Sequence, residues 1–448
     1  MSSAQVPIPG PSGPQMVQSI RLMRRDPTAF LATCAERYGD VVAFPIPRAS
    51  VLFVNDPLDV RRVLQTNHAA YGKRTVQYDA LAMVTGHGLL ASDGDLWRRM
   101  RRTLQPAFHH RMIESMTAAI QGPVDDWVVR QRRRCAHNHS AEVDVDDEML
   151  RLTLEIVGAT LFGATLRTEA ATLVGAVMRA LHIVVVRSQI PVTVPRWLPT
   201  FGNRRLAQSL NDLELAVDRV IAGRRTRPLG DDALSLLLIA RDERMVSDAE
   251  VRNEVVTLIV AGHETVAATL TWSWYLLSQH SRVETRLHSE VDALPDPPWT
   301  ASDVEGLPYT RAVIEECLRL YPPAWVITRR SLTHDVLGGY DVPVGSTIIM
   351  SPYLLHRASN VWTSPEQFTP ERFVTTPNGS LDRTSYFPFG AGPRLCIGRD
   401  LSLFEAPMVL AALARAFRFR PTSVRPPRCD FGVTLRPVGG LPAVITPR

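Results

Sequence analysis

Apolar residues recur at helical spacing over most of the middle of this 448-residue chain. The longest pattern runs from Val251 to about Leu277, directly after Ser247-Asp-Ala-Glu250, which has the spacing of a capping box. A second apolar pattern, rich in Leu and Ala, runs from Ile397 to Phe417. Helical patterns dominate from Leu96 to about Arg319. The chain is therefore predicted to be mainly helical, with one helix long enough to cross the whole molecule.

Strand character is confined to three shorter stretches, Val41–Val54, Val336–Tyr353 and Asp430–Ile445. Apolar residues make up 45% of the chain and charged residues 21%, as in an ordinary globular protein. The Pro/Gly-rich segment 1–14 is expected to be a flexible lead-in. Because no linker or low-complexity tract divides the remainder, 15–448 is expected to be a single domain. The fold class expected is mainly α with a smaller β region.

The long apolar pattern is interrupted by Gly262-His-Glu-Thr265, which argues against a membrane span. Glycine inside a helix costs about 1 kcal/mol relative to alanine. A buried carboxylate costs more unless it is paired or protonated. A core helix that accepts both in adjacent turns is predicted to gain a local function from them.

Charge and cysteine content exclude several classes of protein. The five cysteines are scattered and odd in number, which fits neither a disulfide framework nor a zinc site. All except Cys396 are expected to be structural thiols in a reducing compartment. The net charge of +5 comes with arginine clusters at Arg98–Arg102 and Arg130–Arg134. Neither cluster has interleaved aromatic residues or a recognition motif, so an acidic protein partner is favoured over nucleic acid.

One cysteine lies where a thiolate would be stabilised. The run FPFGAGPRLCIG, Phe387 to Gly398, places Cys396 between a glycine-rich turn and the Leu/Ala-rich helix. The N-terminus of a helix favours an anionic sulfur through its dipole and its unpaired N–H groups. Such a sulfur is suited to binding a metal. The alternative is a buried, inert cysteine.

The spacing of this run resembles the haem-binding loop of the cytochrome P450 superfamily, soluble bacterial type. The matching residues are Phe389, Gly392, Arg394, Cys396 and Gly398. The resemblance implies a triangular helical body with small β-sheets around haem b, and Cys396 as the axial ligand of the iron. Thiolate ligation favours cleavage of the O–O bond.

AGHET, Ala261 to Thr265, matches the oxygen-activation motif of that family. The resemblance implies that Ala261 and Gly262 leave room for dioxygen, and that Glu264 and Thr265 supply protons. Two alternatives stay open: Thr265 could bond back to a helix carbonyl, and Glu264 could form a surface ion pair. His263 is assigned to packing or to a solvent-facing position.

Three further charged residues match the structural network of the family. Glu316 and Arg319 lie three apart on one predicted helix face. The stretch FTPERF supplies Arg372, which the resemblance pairs with them. These three residues are assigned to support of the cysteine loop and not to chemistry.

The two propionates of a haem need cations. Trp97 and Arg101, four apart on one helical face, match the propionate-binding pair of the family, and Arg394 completes the set. A further cation is either Arg329 or Arg330, and counting back from Asp335 favours Arg330.

The neighbouring arginines have a separate interpretation. Arg98 and Arg102 lie on another face of the same helix, where they could meet an electron donor. The alternative is a solvated basic face, which suits Arg99 and Arg102.

The resemblance implies a monooxygenase that receives electrons from a ferredoxin or flavodoxin with its reductase. A peroxide-driven peroxygenase and a non-enzymatic haem sensor are the alternatives. The pocket segments implied by the family are mostly apolar and favour a terpene-like or lipid-like substrate of secondary metabolism: Val76–Leu90, Val177–Val194, Ala261–Thr265, Ala324–Ile327 and Val433–Thr434. With no anchor or signal pattern at the N-terminus, a soluble cytoplasmic monomer is expected.

Overall fold

The computed structural model describes residues 7–166, 170–188, 197–198, 200–374, 385–423 and 425–448, and within 170–188 the side chains of 173–185. The chain divides into two compact units. Unit one comprises the described parts of Met1–Asp79, Arg319–Gln367 and Thr376–Cys396. Unit two comprises those of Ala80–Leu318, Phe368–Thr375 and Ile397–Arg448. The prediction of a single domain over 15–448 stays a prediction.

Helices account for most of the described chain. In chain order they are α1 Gly13–Arg25, α2 Pro27–Tyr38, α3 Pro57–Arg61, α4 Val76–Thr85, α5 Gly94–Leu104, α6 His110–Ser115, α7 Thr117–Cys135, α8 Val145–Leu161, α9 Ala170–Ser188, α10 Phe201–Arg225, α11 Ala233–Asp242, α12 Asp248–Gln279, α13 Ser281–Asp292, α14 Ala301–Glu305, α15 Pro308–Leu320, α16 Pro352–Leu355, α17 Glu371–Val374 and α18 Arg399–Ala416.

The strands are short. They are β1 Val41–Ile46, β2 Ala49–Val54, β3 Tyr71–Gly72, β4 Ala141–Asp144, β5 Ile327–Ser331, β6 Asp335–Leu337, β7 Tyr340–Val342, β8 Thr347–Met350, β9 Phe417–Pro421, β10 Cys429–Phe431, β11 Leu435–Pro437 and β12 Pro442–Pro447.

Unit one is built on a five-stranded sheet of order β1-β2-β8-β5-β3. Its strands pair antiparallel except for β2 and β8, which run parallel. The buried faces of these strands form an apolar core that includes Leu52, Ile348 and Met350. Part of the predicted lead-in packs on the same sheet, because the Ala43 N–H donates to the Pro9 carbonyl over 2.8 Å. Residues 1–6 lie outside the described residues.

Unit two is centred on α12, which packs along α8. Its N-terminus is the predicted capping box: the Ser247 hydroxyl accepts from the Glu250 N–H, and the Glu250 carboxylate accepts from the Ser247 N–H. By length and composition, α12 is apolar enough to cross a membrane. However, 83% of an apolar 18-residue window within it is buried inside the protein. A buried window of this kind is typical of a core helix.

The predicted elements agree with the structure at most positions. The Val251–Leu277 pattern lies within α12, and the Ile397–Phe417 pattern contains α18. The Val41–Val54 stretch forms β1 and β2, joined through Arg48, whose φ is 61°. Four strands lie outside the predicted strand stretches: β3, β4, β5 and β9. Of these, β4 lies inside the stretch assigned to helices. β4 is stabilised by antiparallel pairing with β12, about 300 residues later in the chain, which the local sequence does not indicate.

Candidate active site

The loop before α18 is closed by its own backbone. The Cys396 N–H donates to the Phe389 carbonyl over 3.0 Å, and the Leu395 N–H donates to the Gly392 carbonyl over 2.9 Å. The Gly390 N–H closes an earlier turn on the Phe387 carbonyl, also over 2.9 Å. These bonds form a narrow loop with Cys396 at its end, two residues before Gly398, the N-cap of α18.

Glycine is required at Gly392. Its φ is 68°, and a Cβ at this position would lie 2.0 Å from the backbone carbonyl oxygen of Leu64. No side chain fits so close to a backbone atom, and the left-handed conformation disfavours one as well. At Gly398, by contrast, φ is −88° and a Cβ would be in ordinary contact, 3.7 Å from Phe108.

The Cys396 side chain is exposed, whereas three other cysteines are buried. Burial raises the pKa of the Cys317 thiol to about 12 and raises the pKa values of Cys34 and Cys135. Thiols of this kind stay protonated and inert. An exposed sulfur at the mouth of a rigid loop, just before a helix N-terminus, is the donor that a haem iron needs. Cys396 therefore fits the group that the loop resembles.

His356 supports this loop, and the sequence reasoning missed it. Its side chain is fully buried, and Nε2 accepts from the Phe387 N–H over 3.0 Å. Its carbonyl accepts from Arg319 over 2.8 Å. The ring packs among Trp362, Tyr386 and Phe387. His356 thus links a buried arginine to the start of the cysteine loop.

The predicted structural network is buried and hydrogen-bonded. Glu316 is fully buried, and its carboxylate accepts from the Arg372 guanidinium over 3.2 Å and from the Thr369 N–H over 2.9 Å. Arg319 is also fully buried and donates to the carbonyls of Pro365 and Gln367. Charges held in this way order the segment that precedes the loop, as an exposed pair would not.

Glu264 is fully enclosed in unit two. Its Oε1 accepts a 2.7 Å hydrogen bond from the Thr434 hydroxyl, and its Oε2 has no hydrogen-bond partner among the described residues. Burial raises the pKa of Glu264, partly offset by the Thr434 bond and the nearby Arg436 charge. A surface ion pair is therefore wrong for Glu264. A buried carboxyl with one unpartnered oxygen can accept and release a proton.

Thr265 and His263 lie on either side of that carboxyl in the sequence. The Thr265 hydroxyl donates to the Ala261 carbonyl over 2.7 Å, which is the back-bonded alternative. In this position its oxygen can still accept a hydrogen bond. His263 is fully buried, with a pKa lowered to about 4 by burial, so it is a packing residue and does not face solvent.

Gly262 has a packing explanation that the sequence did not suggest. A Cβ there would lie 2.9 Å from Cγ2 of Val157 on α8, so the glycine lets the two helices approach. α12 is a regular α-helix through Gly262 and Ala261. Room for dioxygen at Ala261 and Gly262 stays a prediction from the family motif.

The arginine-rich helix α5 has two distinct faces. Trp97 and Arg101 are half-buried, whereas Arg98, Arg99 and Arg102 are exposed. Arg98 forms an ion pair with Asp95, and Arg99 forms one with Glu250. The predicted separation of the two faces is therefore present.

Arg329 and Arg330 alternate across strand β5. Arg329 is buried and donates to the Tyr78 hydroxyl and the Thr328 carbonyl over 3.3 and 2.8 Å. Arg330 is exposed, and its guanidinium makes no hydrogen bond or ion pair with the rest of the described chain. Arg394 lies half-buried in the turn just before Cys396. Beyond Val185, the predicted pocket segment Val177–Val194 lies outside the described side chains.

Comparison with known proteins identifies the class. A family model for cytochrome P450 matches residues 7–442. Cyclooctatin synthase from Streptomyces melanosporofaciens is 35% identical, with 96% of this chain and 94% of that protein covered. Pentalenene oxygenase from Streptomyces avermitilis is 32% identical, with 88% and 87% covered. The crystal structure of CYP175A1 from Thermus thermophilus is 31% identical, with a TM-score of 0.79 and 98% and 100% of the two chains covered.

This chain belongs to the cytochrome P450 family, and it is a haem-dependent monooxygenase. The predicted fold class, mainly α with small β-sheets, is confirmed by the same comparisons.

Proposed function

We propose that this enzyme uses haem b to insert one oxygen atom from dioxygen into an apolar, terpene-like or lipid-like substrate. We further propose that a ferredoxin or flavodoxin with its reductase supplies the electrons. The observation that carries the proposal is the enclosed carboxyl of Glu264 next to Thr265, because oxygen activation consumes protons that a buried site must deliver.

The residues that would hold the cofactor differ in character. Cys396 would ligate the iron, and the rigid loop closed on Phe389 would fix the position of its sulfur. Arg330 is favoured over Arg329 as a propionate ligand, because Arg329 already donates two hydrogen bonds within unit one. Arg101, Trp97 and Arg394 would bind the same carboxylates through charge-assisted hydrogen bonds. When bound, the haem supplies the site at which dioxygen is reduced.

The protein's own part in the reaction is proton delivery. With its raised pKa, Glu264 holds a proton at a higher pH than an exposed glutamate does. The Thr434 hydroxyl fixes one carboxyl oxygen and leaves the other available. Thr265 would orient the water that carries the proton onwards, since its hydroxyl donates to Ala261 and keeps its acceptor capacity.

An apolar substrate is supported by the residues of the predicted pocket segments. Leu81, Val84 and Leu89 of the first segment are apolar and buried, as are Val177 and Leu181 of the second. Two of the relatives named above are terpene-acting enzymes, which favours a terpene over other apolar molecules. The bacterial origin of these relatives supports separate electron carriers.

The test is a two-part assay on the haem-loaded protein. Spectral binding is first screened with terpenes, fatty acids and steroids. Each ligand is then incubated with dioxygen, NADPH and a surrogate ferredoxin–reductase pair, or with hydrogen peroxide alone. The expected result is terpene oxidation that requires the electron donor. Turnover with peroxide alone would assign a peroxygenase instead, and binding without any turnover would assign a sensor.

A further inference from the structure

A second carboxyl lies buried in α12, and none of the roles above uses it. Glu254 is 1% exposed, and neither of its oxygens has a hydrogen-bond partner within the described chain. The hydroxyl of Thr257, one turn later and also buried, is likewise unpartnered there. Three buried oxygens without partners are too costly to leave unsatisfied. Ordered internal water is the usual solution where several polar atoms converge.

A glycine-rich segment covers these oxygens closely. A Cβ on Gly88 would lie 2.1 Å from the Thr257 hydroxyl, and one on Gly86 would lie 2.1 Å from the Asn253 side chain. The backbone N–H of Leu89, in the same segment, lowers the pKa of Glu254 against the effect of burial, but it makes no hydrogen bond of regular geometry to either carboxyl oxygen. The segment belongs to the predicted pocket lining. Glu254 and Thr257 are therefore enclosed between α12 and the edge of the pocket segment.

Helix geometry aligns Glu254 with the oxygen-activation motif. Successive residues of an α-helix are rotated by about 100°. Ala261 and Thr265, seven and eleven residues after Glu254, therefore lie within about 20° of the helix face that carries Glu254. Thr257 lies about 60° to one side, between Glu254 and Ala261 along the axis. Ala261 accepts the Thr265 hydrogen bond. One stripe of α12 thus carries Glu254, Thr257, Ala261 and Thr265 in order.

The other end of the stripe reaches the surface. Glu250, one turn before Glu254, is partly exposed and paired with the exposed Arg99. Burial is the main cause that raises the pKa of Glu254 to about 7, and the negative charge of Glu250 adds to it. A carboxyl in this range exchanges protons readily at neutral pH.

We propose that Glu254 and Thr257 bind internal water and form a second proton entry, leading from the surface at Glu250 along α12 towards Thr265. This inference rests on the proposed function and adds to the route through Glu264. Insertion of one oxygen atom consumes two electrons and two protons and releases one water. The electron carrier supplies the electrons. Each proton that Glu254 gives up is replaced from outside by water at the Glu250 end of the stripe, so Glu254 is unchanged after a cycle.

The test uses the haem-loaded enzyme and the Glu254→Gln variant, which keeps the side-chain volume but cannot carry a proton. Infrared spectra over a pH series should show a carboxylic-acid C=O band in the parent that fades as the pH rises through 7. The variant should lack that band. Its product yield per electron should fall about tenfold, with a larger solvent isotope effect and unchanged substrate binding. Thr257→Val should shift yield and isotope effect in the same direction, and Glu254→Asp should restore part of the loss.

Glu405→Gln is the matched control. Glu405 is another buried carboxyl, on α18, whose pKa burial raises to about 8. Glu405→Gln should remove the carboxylic-acid band of Glu405, keep the band of Glu254, and leave the solvent isotope effect unchanged. The proposal is overturned if Glu254→Gln keeps the parent yield and isotope effect, or if the parent shows no band assignable to Glu254 at any pH. A parent enzyme that turns over no substrate would instead defeat the proposed function, before any variant is compared.

Discussion

The cysteine loop and α12 contribute to the site by different physical means. The loop of Phe387–Gly398 is held by backbone hydrogen bonds and left-handed glycines, and it presents an exposed sulfur. α12 is a regular helix that encloses carboxyls whose pKa values are raised by burial. The loop depends on the shape of its backbone, whereas the helix depends on buried carboxyls with raised pKa values. Each of the following experiments separates these two kinds of dependence.

The largest effect is expected at the loop itself. Cys396→Ser should remove all monooxygenase activity, because a serine hydroxyl cannot replace the thiolate as axial ligand. The reduced carbon monoxide complex should lose its thiolate absorption band. Cys429→Ser, which changes a half-buried thiol, is the control and should keep both. A thiolate spectrum that survives in Cys396→Ser would show that another residue ligates the iron.

Backbone shape in the loop is tested by Gly392→Ala. The new Cβ would meet the Leu64 carbonyl at 2.0 Å in a left-handed backbone, so a loss of about 4 kcal/mol in the free energy of unfolding is expected. Denaturant titration measures it. Gly398→Ala, where a Cβ has room, should change stability by less than about 1 kcal/mol. Equal losses in the two variants would contradict the close-approach argument.

Titration in α12 is tested by the pH dependence of stability. Burial raises the pKa of Glu254 from 4.5 to about 7, so the folded state binds the extra proton between these values. The free energy of unfolding should therefore fall as the pH rises from 4.5, and above pH 7 Glu254 should have lowered it by about 3 kcal/mol. Glu254→Gln should remove this cost, so its unfolding free energy relative to the parent should increase from pH 5 to pH 8. A constant difference across this range would show that Glu254 is ionised in the folded enzyme throughout.

The smallest effect is expected at Thr265. Thr265→Ala should leave the thiolate spectrum intact, while product per electron falls about tenfold and hydrogen peroxide rises. Thr269→Ala is the matched control, because Thr269 donates to the Thr265 carbonyl one turn later in the same manner. Measured oxygen, peroxide and product must balance. Full coupling in Thr265→Ala would remove Thr265 from the proton route.

The two regions also differ in how far the sequence predicted them. The loop was predictable because its chemistry lies in twelve consecutive residues, and the capping box of α12 was predictable because Ser247 and Glu250 lie three apart. The hydrogen-bond partners of the buried groups could not be predicted from the sequence. Thr434 lies 170 residues from Glu264, and His356 lies 31 residues from Phe387. Local periodicity carries no information on such contacts, because tertiary packing creates them.

The contact between Gly262 and Val157 constrains the order in which this protein could evolve. A methyl group at Gly262 would lie 2.9 Å from Cγ2 of Val157, so Gly262→Ala alone requires either the valine side chain or the packing of the two helices to shift. After Val157→Ala the same change would meet open space. A lineage therefore passes from glycine to alanine at lower cost if the residue on α8 becomes smaller first, whereas the reverse order passes through an overpacked intermediate.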